Sequence, residues 1–181
     1  NPEILSFLQS YTDLGIISVF IFITVGVILT IVVQSSSAAM TITIIMAWNG
    51  WIDFPTAAAL VLGENIGTTI TAYLASLGGN YHAKRTARAH MIFNVFGVIW
   101  MLIAFIPFIA FIDDLVPGSS SDPNNIPNHV AMFHTLFNVI NVLLLIWFVP
   151  QIASIVKKMV RPSEEEKEKI LKENLELKWH S

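Results

Sequence analysis

The sequence predicts an all-α transmembrane fold, and three apolar runs and a low charge content carry that prediction. Leu14–Val33, Met91–Ile112 and Val130–Val149 contain no charged residue. A helix of about 20 apolar residues crosses a hydrocarbon core of ~30 Å. Charged residues make up 13% of the chain, against roughly 25% in soluble domains. A buried helix in a soluble core accounts for one such run, but three of them in 181 residues leave little chain to build a soluble shell. The absence of cysteine excludes a disulfide framework and a thiolate metal site. No secretory signal pattern stands out, and the chain begins with Asn1 rather than Met, which fits an upstream continuation.

In chain order, Asn1–Asp13 reads as a polar lead-in and Leu14–Val33 as a helix rich in Ile and Val. That helix runs into Gln34-Ser35-Ser36-Ser37, and apolar helix resumes over Ala38–Trp48. Asn49–Pro55 is a turn with an aromatic rim, as at a membrane interface. Thr56–Leu62 and Ile70–Leu77 are two short apolar pieces separated by Gly63-Glu64-Asn65-Ile66-Gly67-Thr68-Thr69. The loop Asn80–His90 holds Lys84, Arg85 and Arg88; Asp113–Asn128 holds Asp113, Asp114 and Asp122; the tail holds Lys157, Lys158 and Arg161. Basic flanks stay in the cytoplasm, so loop 80–90 and tail 157–181 are expected inside and the acidic loop outside. Residues 1–160 thus form a transmembrane unit, and residues 161–181 a charged helical tail. Ile170, Leu171, Leu175 and Leu177 give that tail a weak apolar face, which suits a solvated helix or the entrance to a docking domain.

The two polar clusters carry the chemistry. Lipid cannot satisfy backbone N–H and C=O groups, so an unwound stretch must be buried in protein or face a watery cavity. Helices broken at mid-membrane expose N-termini that favour anions and carbonyl-rich C-termini that favour cations. Gln34–Ser37 offers an amide and three hydroxyls; Gly63–Thr69 offers an amide, two hydroxyls, a carboxylate and two glycines. The bland readings are serines bonding back to their own helix and small residues packing helix on helix. The second cluster has no lysine, which disfavours a nucleotide-binding loop. No Lys or Arg occurs before Lys84. An anion bound here must therefore be balanced by bound cations or hydrogen-bond donors, or by groups from a partner half. The pattern points to passage of a small hydrophilic solute or ion.

Glu64 is a functional candidate because an intramembrane carboxylate is costly. It could ligate sodium, hold a proton, or sit near the interface beside a basic residue such as Arg85. His134, Asn138 and Asn141 fall at i, i+4 and i+7 on one helical face. With His90 and Asn94 they are read as interhelical hydrogen-bonding groups, not metal ligands. His90–Val95 repeats His134–Val139 at His, Phe, Asn and Val, as two related antiparallel helices would. There is no nucleophile–base pair, so the chain is not read as an enzyme, and there is no nucleic-acid signature.

At these residues the sequence resembles the sodium/phosphate cotransporter family, bacterial and animal type II. Gln34-Ser35-Ser36-Ser37-Ala38 resembles its QSSSA signature, and Gly63–Thr69 its GANIGTT motif. Ala87-Arg88-Ala89-His90 with Phe93-Asn94, and His134 with Phe137-Asn138, follow its downstream pattern. The resemblance covers roughly Leu14–Pro150. It implies an inverted-repeat transporter unit with broken or re-entrant helices, working as a sodium-coupled phosphate symporter by alternating access in the cell (inner) membrane. It assigns the substrate and ion site to Gln34, Ser35, Ser36, Ser37, Glu64, Asn65, Gly67, Thr68 and Thr69, with sodium at Gln34, Ser35, Asn65, Thr68 and Thr69. No cofactor is implied beyond sodium as coupling ion; the partners are phosphate, sodium, lipid and a second repeat. Glu64 stands where the motif commonly has a small residue. Only one QSSS segment is present, so a missing upstream half or a second copy would complete the site, and the clear charge bias favours the missing half. The alternatives are transport of another small anion such as a dicarboxylate, or a non-transporting phosphate receptor or scaffold.

Overall fold

The structure is a computed structural model that describes residues 15–179. The expected lead-in Asn1–Asp13 lies outside the described residues. Among those described there are seven α-helices, one 3-10 turn and no strand.

Helix α1, Ile16–Val33, ends at Gln34, which adopts a left-handed conformation (φ 55°) while its N–H still donates to Thr30 O. Ser35 is extended, and its Oγ accepts the Ala38 N–H at 3.3 Å, capping α2, Ser36–Trp48. The expected break is therefore present, but it is two residues long, and Ser36 and Ser37 already belong to the next helix. A turn with Gly50 at φ 69° leads to α3, Phe54–Ser76, where Asp53 accepts the Thr56 N–H and Pro55 occupies the first turn. Proline suits that place because it has no N–H to leave unpaired.

Helix α3 runs unbroken through Gly63–Thr69, against the expected interruption. Its polar residues need no unwound backbone. Asn65 Nδ2 donates to Val61 O, Thr68 Oγ1 to Glu64 O and Thr69 Oγ1 to Ile66 O. The glycines serve packing instead. A Cβ on Gly63 would collide with Ile23 O, one on Gly26 with Leu60 O, and one on Gly67 would lie 2.7 Å from Thr30 Cβ. Small residues let two backbones approach this closely. Ile23 and Gly26 lie against Gly63 and Leu60, Thr30 against Gly67, and Ile31 and Gln34 beside Thr71 and Ala72, so α1 and α3 run parallel. The short turn makes α2 antiparallel to α3, and α1 and α2 thereby form a helical hairpin with Gln34–Ser35 at its tip.

Asn80 caps α4, Tyr81–Leu115, by accepting the Ala83 N–H. The expected loop 80–90 is thus mostly helix. A helix of 35 residues is about 52 Å long at 1.5 Å per residue, so its basic first turns can project beyond a ~30 Å core. Helix α5, Ile126–Leu145, passes through a 3-10 turn (Ile146–Phe148) into α6, Val149–Met159. Tyr81–Leu115 and Ile126–Met159 are each long and apolar enough to cross a membrane. In the second, only 17% of the most apolar window is buried within the protein, which leaves an apolar surface suited to lipid.

Helix α3 forms the centre. Ala57–Leu62 are buried, and α1, α2, α4 and α5 all pack against it. Phe54, Phe105, Phe108, Phe133 and Phe137 interlock between α3, α4 and α5, mostly edge to face. Asn141 joins α5 to α4: its Nδ2 donates to Phe93 O and its Oδ1 accepts Trp100 Nε1, with Gly97 leaving room for the amide. Asn94 and Asn138 instead donate to His90 O and His134 O within their own helices. The two copies of the sequence echo thus repeat the same local bond. On the expected outer side His129 is fully buried, with Nδ1 2.9 Å from Asn125 O and Nε2 3.2 Å from Asp113 Oδ1.

The tail begins α7, Glu164–Trp179. Ser163 and Glu166 form a reciprocal capping box. Glu166 Oε1 also accepts the Tyr81 N–H at 3.0 Å, which ties the tail to the start of α4. Arg85 Nε reinforces the joint by donating to Val160 O. The Ser163 and Tyr81 amides hold the Glu166 carboxyl below the usual carboxylate range. Of the expected apolar tail face, Leu171 is exposed; the side chains of Ile170, Leu175 and Leu177 lie outside the described residues.

Candidate functional site

The start of α2 and the middle of α3 meet at one cavity of about 340 Å³. Residues 61, 64, 65 and 68 share a helical face through i, i+3, i+4 and i+7 spacing. That face brings Val61, Glu64, Asn65 and Thr68 to the cavity, opposite Ser36, Ser37 and Met40 of α2. Helix α5 adds His134, which the sequence groups with the interhelical bonding residues. Its spacing from Asn138 and Asn141 locates it on a polar stripe of α5 but does not say which element it faces.

The nine expected site residues divide. Ser36, Ser37, Glu64, Asn65 and Thr68 line this cavity. Gln34 lines a separate crevice with Ile31, Thr71 and Ala72. Ser35 shapes the hairpin tip by capping α2, with its Oγ 3.2 Å from Ser37 Oγ. Gly67 is turned toward α1, where it touches Val27 and Thr30. Thr69 is fully buried and bonds Ile66 O. Only Asn65 and Thr68 of the five expected sodium ligands therefore share a cavity. The reason is the helical register: once α3 is continuous, residues 67 and 69 point away from the face that carries 64, 65 and 68.

Glu64 sits at the back of the cavity, 2% exposed. Thr43 Oγ1 donates to its Oε1 at 2.6 Å, and its Oε2 has no hydrogen-bond partner. Arg85, the suggested interfacial partner, is instead bonded to Val160 O and stacked over Tyr81. On α3 the Thr68 hydroxyl spends its only hydrogen on Glu64 O, while Thr43, buried on α2 and outside the cavity lining, spends its own on Glu64 Oε1. Asn65 turns its nitrogen toward Val61 O; a carbonyl only accepts, so the amide orientation is fixed and Oδ1 is left for other partners. The α3 wall thus presents mainly acceptor oxygens, which suit a hard cation. The α2 side presents two serine hydroxyls and a helix N-terminus, which suit an oxyanion. Among the described residues no cluster of His, Asp and Glu fit to hold a metal ion occurs.

Residues 3–116 match the family described as Na+/Pi-cotransporter. The chain is 41% identical over 120 residues to "Uncharacterized protein YqeW" of Bacillus subtilis, covering 66% of this chain and 37% of that protein. It is 30% identical over 141 residues to "Putative inorganic phosphate export protein YjbB" of Escherichia coli, covering 78% of this chain and 25% of that protein. It is 38% identical over 91 residues to the human "Sodium-dependent phosphate transport protein 2B", covering 48% of this chain and 13% of that protein. The chain therefore spans between 13% and 37% of the length of these three relatives. No solved structure matches it significantly.

Proposed function

The chain belongs to the Na+/Pi-cotransporter family, and from that premise we propose that it forms one repeat of a sodium-coupled inorganic phosphate symporter, contributing half of the binding site. The observation that carries this reading is the meeting of Ser36 and Ser37 with Asn65 and Thr68 across one cavity. Hydroxyls and a helix N-terminus on one side can replace the hydration of an oxyanion, and acceptor oxygens on the other can replace that of sodium. Gln34, Ser35, Gly67 and Thr69 enter this reading as supports, setting the hairpin tip and the α1–α3 spacing.

In this reading α1 and α2 are a re-entrant hairpin and the unit works by alternating access, completed by a second repeat of opposite orientation. The unit lies in the cell (inner) membrane, with the start of α4 and the tail cytoplasmic. The shared placement of Lys84, Arg85, Arg88 and the tail joint at Glu166–Tyr81 supports one side for both. Residues 1–160 are the transporter repeat and 161–181 its cytoplasmic extension.

Labelled phosphate uptake into vesicles carrying the complete protein tests the proposal. Uptake is expected to collapse when choline replaces sodium; undiminished uptake in choline would sink sodium coupling. A second reading, phosphate export, is favoured by the name of the Escherichia coli relative. Release of phosphate from preloaded cells, measured beside uptake, separates the two directions.

A further inference from the structure

Helix α6 is more strongly amphipathic than any other described helix. Ile152, Ile155, Val156 and Met159 fall at i, i+3, i+4 and i+7 and share one face. Ser154, Lys157 and Lys158 share the opposite face, and Arg161 follows just past the helix end. The helix packs on α4 and buries Val156, yet Ile155 and Met159 stay 50% and 53% exposed. Lys157, Lys158 and Arg161 are exposed too, and among the described residues none of them forms an ion pair or a side-chain hydrogen bond. Two nearby acids of the tail are spent elsewhere, Glu166 on the Ser163 and Tyr81 amides and Glu164 on Lys167.

Depth decides what such a helix meets. Helix α5 has 20 residues, about 30 Å of length, which by itself matches the hydrocarbon core. Helix α6 therefore starts where the core ends. At that junction stands Trp147, 79% exposed, a side chain that favours the membrane interface. The far end of α6 is held beside Arg85, whose Nε donates to Val160 O. Arg85 lies about 42 Å from Asp113 along α4, at 1.5 Å per residue, within the ~40–45 Å of a bilayer with its headgroups. A helix pinned between those two levels lies in the headgroup layer, on the side expected to be cytoplasmic.

We propose that α6 is an interfacial helix that binds anionic phospholipid. Ile155 and Met159 enter the acyl boundary, while Lys157, Lys158 and Arg161 hold headgroup phosphates of the cytoplasmic leaflet. Helices with one apolar and one basic face bind membranes in this way, and that leaflet carries the negative surface charge. Other occupants satisfy only half of the surface. An acidic soluble partner would use the cations but leave the apolar face in water, and a second copy related by symmetry would set like charges together. No α6 residue lines the cavity, so the inference stands apart from the solute that is carried.

The test uses the full-length protein with a spin label at Met159→Cys, which the lack of cysteine leaves as the single thiol of these 181 residues. In bilayers of phosphatidylcholine with phosphatidylglycerol, oxygen is expected to reach the label better than a water-soluble nickel complex does. Binding of fluorescent phosphatidylglycerol, added in neutral detergent, is then compared between wild type and the Lys157→Gln, Lys158→Gln, Arg161→Gln triple variant. One cation near an anionic surface is worth roughly fivefold in binding. Affinity should therefore fall at least about tenfold in the triple variant, with Lys84, Arg85 and Arg88 still in place. A label that the nickel complex reaches as well as oxygen does overturns the proposal, and so does one broadened by a second label, which would mark a contact between copies. Equal lipid binding by the triple variant overturns it too. Displacement of the lipid by inorganic phosphate at constant ionic strength would mark a free-anion site and count equally against it. If the triple variant fails to fold, salt takes its place: screening should weaken wild-type binding, and binding that high salt leaves unchanged overturns the proposal.

Discussion

Replacing Gly63 with alanine should loosen the α1–α3 seam, although alanine is the better helix former. A Cβ at Gly63 would lie 2.8 Å from Ile23 C and 2.9 Å from Val27 N, and closer still to Ile23 O. Ordinary contact between carbon atoms is about 3.5 Å, so the helices must part by roughly 0.7 Å or more. Every atom in the way is helical main chain, which cannot swing aside as a side chain would. Overpacking of this kind costs about 1–3 kcal/mol, and the gain in helix propensity returns up to about 1 kcal/mol. The expected net loss is about 1–2 kcal/mol, or a fall of roughly 2–8 °C in Tm for a chain of this size. Thermal unfolding in detergent measures it, with Gly78→Ala as the control, because a Cβ there meets nothing within 4 Å. A Gly63→Ala protein that melts with the control or above it would refute the backbone-contact account.

Asn141→Ala strips partners from Phe93 O and Trp100 Nε1; at about 0.6–1.7 kcal/mol per interhelical bond in a membrane, Tm should fall by several degrees, and an unchanged Tm would show that both groups find other partners. Ser35→Ala removes the acceptor for the Ala38 N–H and should cost about 1 kcal/mol, read as faster amide exchange at the start of α2. Ser36→Ala and Thr68→Val alter opposite walls of the cavity, so each should weaken phosphate uptake at least several-fold with little change in Tm; normal uptake in both would move the site elsewhere. Glu166 has a folded-state titration below its unfolded one, so its contribution to the tail joint is present above the ordinary glutamate value of about 4.3 and is lost as pH falls through the lower folded value. Amide exchange at Tyr81 should quicken over that acid window in the wild type, and at neutral pH in Glu166→Ala; equal protection in both proteins would refute the joint.

Much of the architecture is legible in the residues, and the misreadings share a cause. Long apolar runs locate the helices seen at Ile16–Val33, Tyr81–Leu115 and Ile126–Leu145, because an uncharged apolar stretch has to satisfy its backbone internally in lipid, which a helix does. The reversal at Gln34 is legible because four polar residues in succession have no helical period to hide in. Gly63–Thr69 looks similar yet stays helical. Its amide and hydroxyls bond one turn back along the helix, and its glycines are spaced to meet α1. Composition alone cannot separate a broken helix from one that bonds its own carbonyls. Read with a 3.6-residue period, the same segment sorts correctly, with 64, 65 and 68 on one face and 63 and 67 on another. The charges of 80–90 suggest a loop, but a helix that outruns the bilayer carries charges as readily. His134 cannot be assigned to the cavity from sequence, because its position depends on how α5 lies against α2 and α3.

The glycine seam also governs what can move. Where main chain touches main chain at Gly26 and Gly63, no layer of side chains stands between the two helices to repack into a second arrangement. The first and third helices are in effect one strut, and displacing either drags the other. Any change of shape around a solute must then come from the pliable walls, the two serines at the start of the second helix and the histidine of the fifth, sliding over a fixed rail.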